Sequence, residues 1–155
     1  MALELDQQQL ATSLFDLSYQ RFNFPPFYTW SEKADGTGNV PYLTSGGGFL
    51  QAITYGFGGL RVLSDRLRLR PQLIANTTRM ALRRVQFCGS RIDIEWNEST
   101  ATVTSSTGGA GTDLGAAGAA AGLRVASAGG GEGTALPAAF ATGQVAHVLC
   151  AGALR

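Results

Sequence analysis

The hydrophobic pattern of this chain changes once, near Gly59, from the 3.6-residue repeat of a helix to the two-residue repeat of a strand. One element type cannot satisfy both periods, so the chain needs a helical part followed by a β part. Before the change, Leu3, Leu10, Leu14 and Leu17 recur at helical spacing among acidic and amide residues, which predicts an amphipathic helix over residues 3–21. Pro25 and Pro26 must end it, because each lacks an amide donor and pushes its predecessor out of the α region. A loop follows from Tyr28 to Gly38. The hydroxyls of Thr44 and Ser45 then precede Gly46, Gly47 and Gly48, and the apolar residues Phe49, Leu50, Ile53 and Phe57 predict a second helix over residues 45–55. Its apolar surface runs nearly all round, so it is expected to be buried against helices that this chain does not contain, with Gly56, Gly58 and Gly59 available for a left-handed end.

After the change, Leu67 and Leu69 alternate with arginines up to Pro71, Met80 and Leu82 alternate with Arg79 and Arg83, and Ile92, Ile94 and Trp96 alternate with Arg91, Asp93 and Glu95. These are half-buried strands. Cys88-Gly89 is the expected turn between two of them, Ala101 to Val103 the next strand, and Gln144 to Cys150 a short last one.

Length and composition bound the rest. At 155 residues there is material for one domain, but nineteen of the twenty-nine residues from Thr107 to Ala135 are Gly or Ala, and their side chains bury almost nothing. That tract is expected to be disordered, because it cannot offset the entropy of ordering itself. A net charge of +1 gives no global field that would draw a nucleic acid or a membrane. Eight of the twelve basic residues lie between Arg61 and Arg91, yet acids dilute them, and a strand's outer face is commonly charged simply to be wet. Cys88 and Cys150 have no metal-site spacing, and the single His147 cannot anchor zinc alone, so two free, partly buried thiols and no metal are expected. The polar start and the absence of an apolar run of about 18 residues imply a soluble chain without an address, cytoplasmic if Met1 is the true start.

Three blocks carry a family pattern: Phe24-Pro25-Pro26-Phe27-Tyr28-Thr29-Trp30-Ser31-Glu32-Lys33-Ala34-Asp35-Gly36, then Tyr42-Leu43-Thr44-Ser45-Gly46-Gly47-Gly48-Phe49-Leu50-Gln51-Ala52, then Tyr55-Gly56-Phe57-Gly58-Gly59-Leu60-Arg61. In this order they resemble the C-terminal part of glycoside hydrolase family 65, in the branch of acid trehalases and protein-glucosylgalactosylhydroxylysine glucosidases. The resemblance covers roughly residues 14 to 97. It implies an α+β chain in which residues 1–59 end an (α/α)6 catalytic barrel and residues 60–106 form part of a small antiparallel β-sandwich, while composition makes residues 107–155 a low-complexity tail with a possible last strand at 144–150. Twelve barrel helices need well over roughly 150 residues, so a missing barrel segment of the same enzyme is the expected partner.

The chemistry implied is α-glucoside hydrolysis with inversion, in which one carboxylic acid protonates the leaving oxygen and a second carboxylate deprotonates a water. By the family match Glu32 is the general base, and no organic cofactor is required. The acid is expected outside this chain, and Asp35, three residues on, reads as a turn residue. Trp30 and Tyr28 offer aromatic faces for an α-glucoside or glucosyl-disaccharide; a loop anchored by a buried Trp30 is the alternative. Thr44, Ser45 and Gly46 lie where family phosphorylases bind phosphate. The stretch Asn39 to Ser45 lacks a histidine, however, so the resemblance favours water as nucleophile. Two functions stay open: the C-terminal part of an inverting glycosidase, inactive on its own, or a catalytically dead carbohydrate-binding or interaction module.

Overall fold

The period of two is realised as two antiparallel sheets, and the helical period as two short helices. The computed structural model describes residues 2–105, 124–127, 134–136 and 138–150. Most of the Gly/Ala tract, which the sequence reads as disordered, lies outside the described residues. Among those described the chain is α+β, and it divides into two units, Met1–Phe57 and Gly58–Arg155.

In the first unit, a 3₁₀ turn at Ala2–Leu5 leads to α1 (Gln8–Gln20), and a two-residue hairpin of β1 (Asn23–Phe24) and β2 (Thr29–Trp30) leads to α2 (Leu43–Gln51), which continues as a π-helix over Ala52–Phe57. The leucine stripe is not the buried face. Leu10, Leu14 and Leu17 are 48%, 54% and 47% exposed, and the buried residue of α1 is Phe15. Aromatic packing decides this: Phe15 stacks on Phe49 at 4.9 Å between ring centroids and meets Phe57 edge-on at 5.2 Å. Such pairs add to the area that large rings bury, which a leucine row cannot match. The second helix has no buried residue among those described, and its Leu43 and Leu50 are exposed.

In the second unit, β3 (Arg61–Val62), β4 (Arg66–Leu69), β8 (Arg124–Ser127), β9 (Thr134–Ala135) and β11 (Ala146–Leu149) form a five-stranded sheet in the order β3-β4-β11-β8-β9. The strands β5 (Arg79–Phe87), β6 (Ser90–Asn97), β7 (Thr100–Ser105) and β10 (Ala138–Ala141) form a four-stranded sheet in the order β10-β7-β6-β5. Both sheets feed one cluster: Leu67, Leu69 and Val148 from the first, and Ile92, Ile94, Trp96 and Val103 from the second. The alternation of buried and half-buried residues along β4 and β6 follows the sequence period residue by residue. Strand β8 corrects the expectation of continuous disorder to Ala135. Val125 there is buried, and β8 pairs with both β11 and β9.

Two local features hold this arrangement. Cys88 and Gly89, with φ of 49° and 72°, make the tight turn between β5 and β6, where positive φ at both positions suits the twist of the flanking strands. Cys88 is also bonded to Cys150 in a disulfide across 62 residues, with Cα atoms 6.0 Å apart. The expected free thiols are therefore corrected: a turn of the four-stranded sheet is tied to the end of β11 in the other. Spacing along the chain could not show this, because the pairing is made by topology. The second feature is Gly59, with φ of 61°, where any Cβ would collide with the Arg70 carbonyl.

Closing a loop of this length by a disulfide contributes about 4 kcal/mol in the chain-entropy account. Reduction, or Cys150→Ser, is therefore expected to lower the urea midpoint of unfolding by the equivalent of about 2–4 kcal/mol, read from β-sheet circular dichroism. A Gly59→Ala chain is expected to lose more than about 2 kcal/mol by the same measurement.

Candidate functional site

The loop that carries Glu32 is built from backbone bonds at both ends and a buried hydroxyl in the middle. Asn23 pairs with Trp30 and Phe24 with Thr29 across the β1–β2 hairpin, and the pairing is extended when the Ser31 amide donates to the Phe22 carbonyl at 2.8 Å. Ser31 is 1% exposed. Its hydroxyl donates to the Thr37 carbonyl at 2.9 Å and accepts from the Lys33 amide at 3.3 Å, so both capacities of a buried polar group are used. At the far end the Tyr42 amide donates to the Trp30 carbonyl at 2.7 Å, which delivers the chain to the start of α2.

Glu32 itself is exposed. Its amide donates to the Asn39 carbonyl at 3.1 Å. In return Asn39 holds the carboxylate, donating to Oε2 from its amide at 3.3 Å and from Nδ2 at 3.0 Å. Two donors on one oxygen fix the carboxylate plane, and Oε1 has no hydrogen-bond partner among the described residues. Gly38, with φ of 94°, passes beneath, where a Cβ would stand 3.2 Å from Oε2. Sequence reading did not find Asn39; it lies seven residues from its partner, and only the loop's fold brings the two together.

The other candidates divide. Trp30 is half-buried, tilted on Phe49 at 5.1 Å, and its indole Nε1 donates to the Ser18 carbonyl at 3.2 Å. It anchors the loop. Tyr28, 68% exposed and with φ of 50°, has an open ring. Thr44 and Ser45 are not the helix cap: α2 begins at Leu43 with Tyr42 as the N-cap and no side-chain cap bond, so the hydroxyls fall inside the first turn. Gly46 sits 3.8 Å from the Trp30 ring if given a Cβ, whereas Gly47 and Gly48 face open space. Among the described residues no group of three or more metal-ligating side chains occurs.

With this geometry in view, the relatives of the chain place it. Residues 60–123 match the family described as "Glycosyl hydrolase family 65, C-terminal domain". Over those residues the chain is similar to that C-terminal domain. More narrowly, it resembles proteins named protein-glucosylgalactosylhydroxylysine glucosidase. That of Dictyostelium discoideum is 38% identical over 100 residues, 64% of this chain and 14% of that protein. Those of Danio rerio and Gallus gallus are 36% and 34% identical over 59% and 58% of this chain. The chain spans 13–14% of the length of these three relatives. The solved structure titled "Putative kojibiose phosphorylase from human microbiome" shares the fold, with a TM-score of 0.55 at 15% identity over 96% of this chain and 17% of that one. No helix of the described residues is long and apolar enough to cross a membrane.

The turn after Glu32 is pH-sensitive. Asp35 Oδ1 accepts from the Thr37 hydroxyl at 2.6 Å and from its amide at 2.9 Å, and these bonds, the hydroxyl first, hold the Asp35 carboxyl below its ordinary 3.8. The folded loop thus prefers the ionised form, so the turn's stabilisation is complete above 3.8 and is lost as pH falls through the lower folded value. Exchange of the Thr37 amide, followed by NMR, is expected to accelerate over that acid range in the native chain and to show no such step in Asp35→Asn.

Proposed function

We propose that this chain is the C-terminal part of an inverting α-glucoside hydrolase, with Glu32 as the general base. The observation that carries the reading is the Glu32 carboxylate itself. One oxygen is fixed by two donors from Asn39, and the other is open to take a proton from a water poised against the sugar. Inversion needs a second carboxyl group about 6.5–9.5 Å away across the glycosidic bond. Asp35 is committed to Thr37 on the same turn, so the general acid belongs to a part of the enzyme outside this chain. The short span of the relatives that the chain covers agrees with that.

Under this reading residues 1–59 close an (α/α)6 barrel and the two sheets form its C-terminal β-sandwich. The exposed leucines of α1 and α2 support it, because a helix surface carrying Leu10, Leu14, Leu17, Leu43 and Leu50 is suited to packing on further helices. Tyr28 offers its open ring to the sugar, Trp30 holds the loop that carries Glu32, and Thr44, Ser45 and Gly46 line the start of α2 on the approach to the site. The substrate class is an α-glucosyl disaccharide unit. The names of the relatives support a glucosyl-galactosyl unit on hydroxylysine as one such substrate.

In a longer protein containing this segment, Glu32→Gln is expected to lower kcat by about 10²–10⁴-fold while the far-ultraviolet circular dichroism stays unchanged. Unchanged turnover in that variant would remove Glu32 from the mechanism. A strict requirement for inorganic phosphate would replace hydrolysis with phosphorolysis.

A further inference from the structure

Two turns of the second unit share a three-residue pattern. Of the four asparagines in the chain, Asn76 begins Asn76-Thr77-Thr78 and Asn97 begins Asn97-Glu98-Ser99, each with a hydroxyl residue two positions on and no proline between. That is the acceptor pattern for an N-linked oligosaccharide, and it belongs on a surface loop of a protein that passes through a secretory compartment. Asn23 and Asn39, in the first unit, are each followed two residues on by a proline and lack the pattern.

The loop over residues 70–78 carries the chain from β4 to β5 and is fastened on both sides of its tip. Pro71 is buried and its carbonyl accepts from the Gly143 amide at 2.9 Å, the Gln72 carbonyl accepts from the Trp96 indole at 3.0 Å, and Leu73 packs on the shared core. The chain then reverses, with the Thr77 amide at 3.1 Å and its hydroxyl at 2.6 Å both donating to the Ile74 carbonyl. Asn76 stands in this turn with φ of 62°, a left-handed conformation that asparagine adopts more readily than most residues. Asn76 and Thr78 are exposed, and among the described residues neither side chain makes a hydrogen bond. A sugar on Asn76 therefore extends into solvent and leaves every one of these bonds intact. The turn at Asn97 is more committed. Its carboxamide oxygen accepts from the Ser99 and Thr100 amides, both at 2.9 Å, and Thr142 lies against it, donating from its amide to the Ser99 carbonyl at 3.1 Å and from its hydroxyl to the Asn97 carbonyl at 2.9 Å.

The bond between Cys88 and Cys150 points to the same compartment by a separate route. Disulfides form and persist in oxidising surroundings and are rare in the reducing cytosol. We propose that Asn76 carries an N-linked glycan, added in the oxidising compartment that keeps this disulfide formed. In that step Nδ2 of Asn76 attacks the anomeric carbon of an oligosaccharide held on a lipid diphosphate. A carbon–nitrogen bond forms, the carbon–oxygen bond to the diphosphate breaks and leaves its electron pair on the diphosphate, and one amide proton passes to a base. The Thr78 hydroxyl is the group that admits Asn76 to the reaction. This sets aside the cytoplasmic location expected if Met1 is the true start, and it holds whatever the role of Glu32.

The protein purified at full length from its own cells, denatured with a thiol-blocking reagent present and then treated with peptide-N-glycosidase in heavy-oxygen water, tests both observations together. The glycosidase turns a glycosylated asparagine into an aspartate that bears the heavy oxygen. Trypsin cuts after Arg68 and Arg79 and releases residues 69–79 as one peptide, which is expected to carry the label at position 76, with Cys88 and Cys150 untouched by the blocking reagent. The same protein with Thr78→Ala is expected to lose the label, and with Thr78→Ser to keep it. Both variants leave Asn76 in place, so the left-handed turn is undisturbed. An unlabelled Asn76 in the native protein overturns the proposal, as does a label that survives Thr78→Ala, because simple deamidation needs no hydroxyl. A label on Asn97 with Asn76 bare overturns the choice of site, and blocked thiols at Cys88 and Cys150 overturn the compartment.

Discussion

The second unit depends on one insertion: β11, the last strand among the described residues, occupies the middle of the five-stranded sheet between β4 and β8. Without it, among the described residues β4 keeps only the two-residue β3 as a neighbour and β8 only the two-residue β9, and neither ribbon is stable alone in water. Ala146 and Val148 are fully buried at that point and complete the cluster shared with the other sheet. The turn that feeds β11 is fastened as well. Gly143 donates to the Pro71 carbonyl at 2.9 Å, Thr142 Oγ1 donates to the Asn97 carbonyl at 2.9 Å, and Arg70 Nε donates to the Gly143 carbonyl at 3.2 Å. Cys150 then locks the far end to the β5–β6 turn. Local contacts such as the β5–β6 hairpin can form early, but the five-stranded sheet waits for a pairing of high sequence separation, which is entropically expensive to close.

Why part of this fold was legible in the sequence follows from the same contrast. Strands β4, β6 and β7 announce themselves because each buries one face, so the period of two is written into Leu67, Leu69, Ile92, Ile94 and Trp96. The Cys88-Gly89 turn is equally local. Strand β8 hides in a Gly/Ala background because four residues with one buried Val carry too little pattern to rise above it. The disulfide has no local signature at all. In α1 the leucine stripe was visible but pointed the wrong way for this chain, since Phe15, outside the stripe, is drawn to Phe49 and Phe57 instead.

The loop of Glu32 shows a different limit. Its motif singles out the carboxylate, and the structure adds why that carboxylate has a defined direction: Asn39 donates twice to Oε2, Gly38 leaves room for the approach, and Ser31 and Trp30 pin the backbone beneath. None of these supporting contacts follows from residue type, because each depends on a turn that brings residues six to twelve positions apart into bonding distance. Trp30 illustrates the cost of reading side chains by class. A tryptophan beside a carboxylate suits a sugar, yet its indole nitrogen and one ring face are already engaged by Ser18 and Phe49, which leaves the more exposed Tyr28 as the freer ring.

Net charge misleads for a related reason. The total of +1 conceals a first unit with two basic and five acidic residues and a second with ten arginines and six acids. Even that division is too coarse, because two of the second unit's acids are spent on the four-stranded sheet, where Glu95 pairs with Arg79 and Arg83, and Asp93 with Arg83 at 3.4 Å. A neutralised ladder of this kind contributes little beyond solubility. The five-stranded sheet neutralises charge in the same way just before β4, where Arg66 grips Asp65 with Nη2 at 2.7 Å from Oδ2. At roughly 0.1 M salt the Debye length is about 10 Å, so each arginine answers first to the groups beside it and little to the chain's total. Register, and not composition, therefore sets which charges meet.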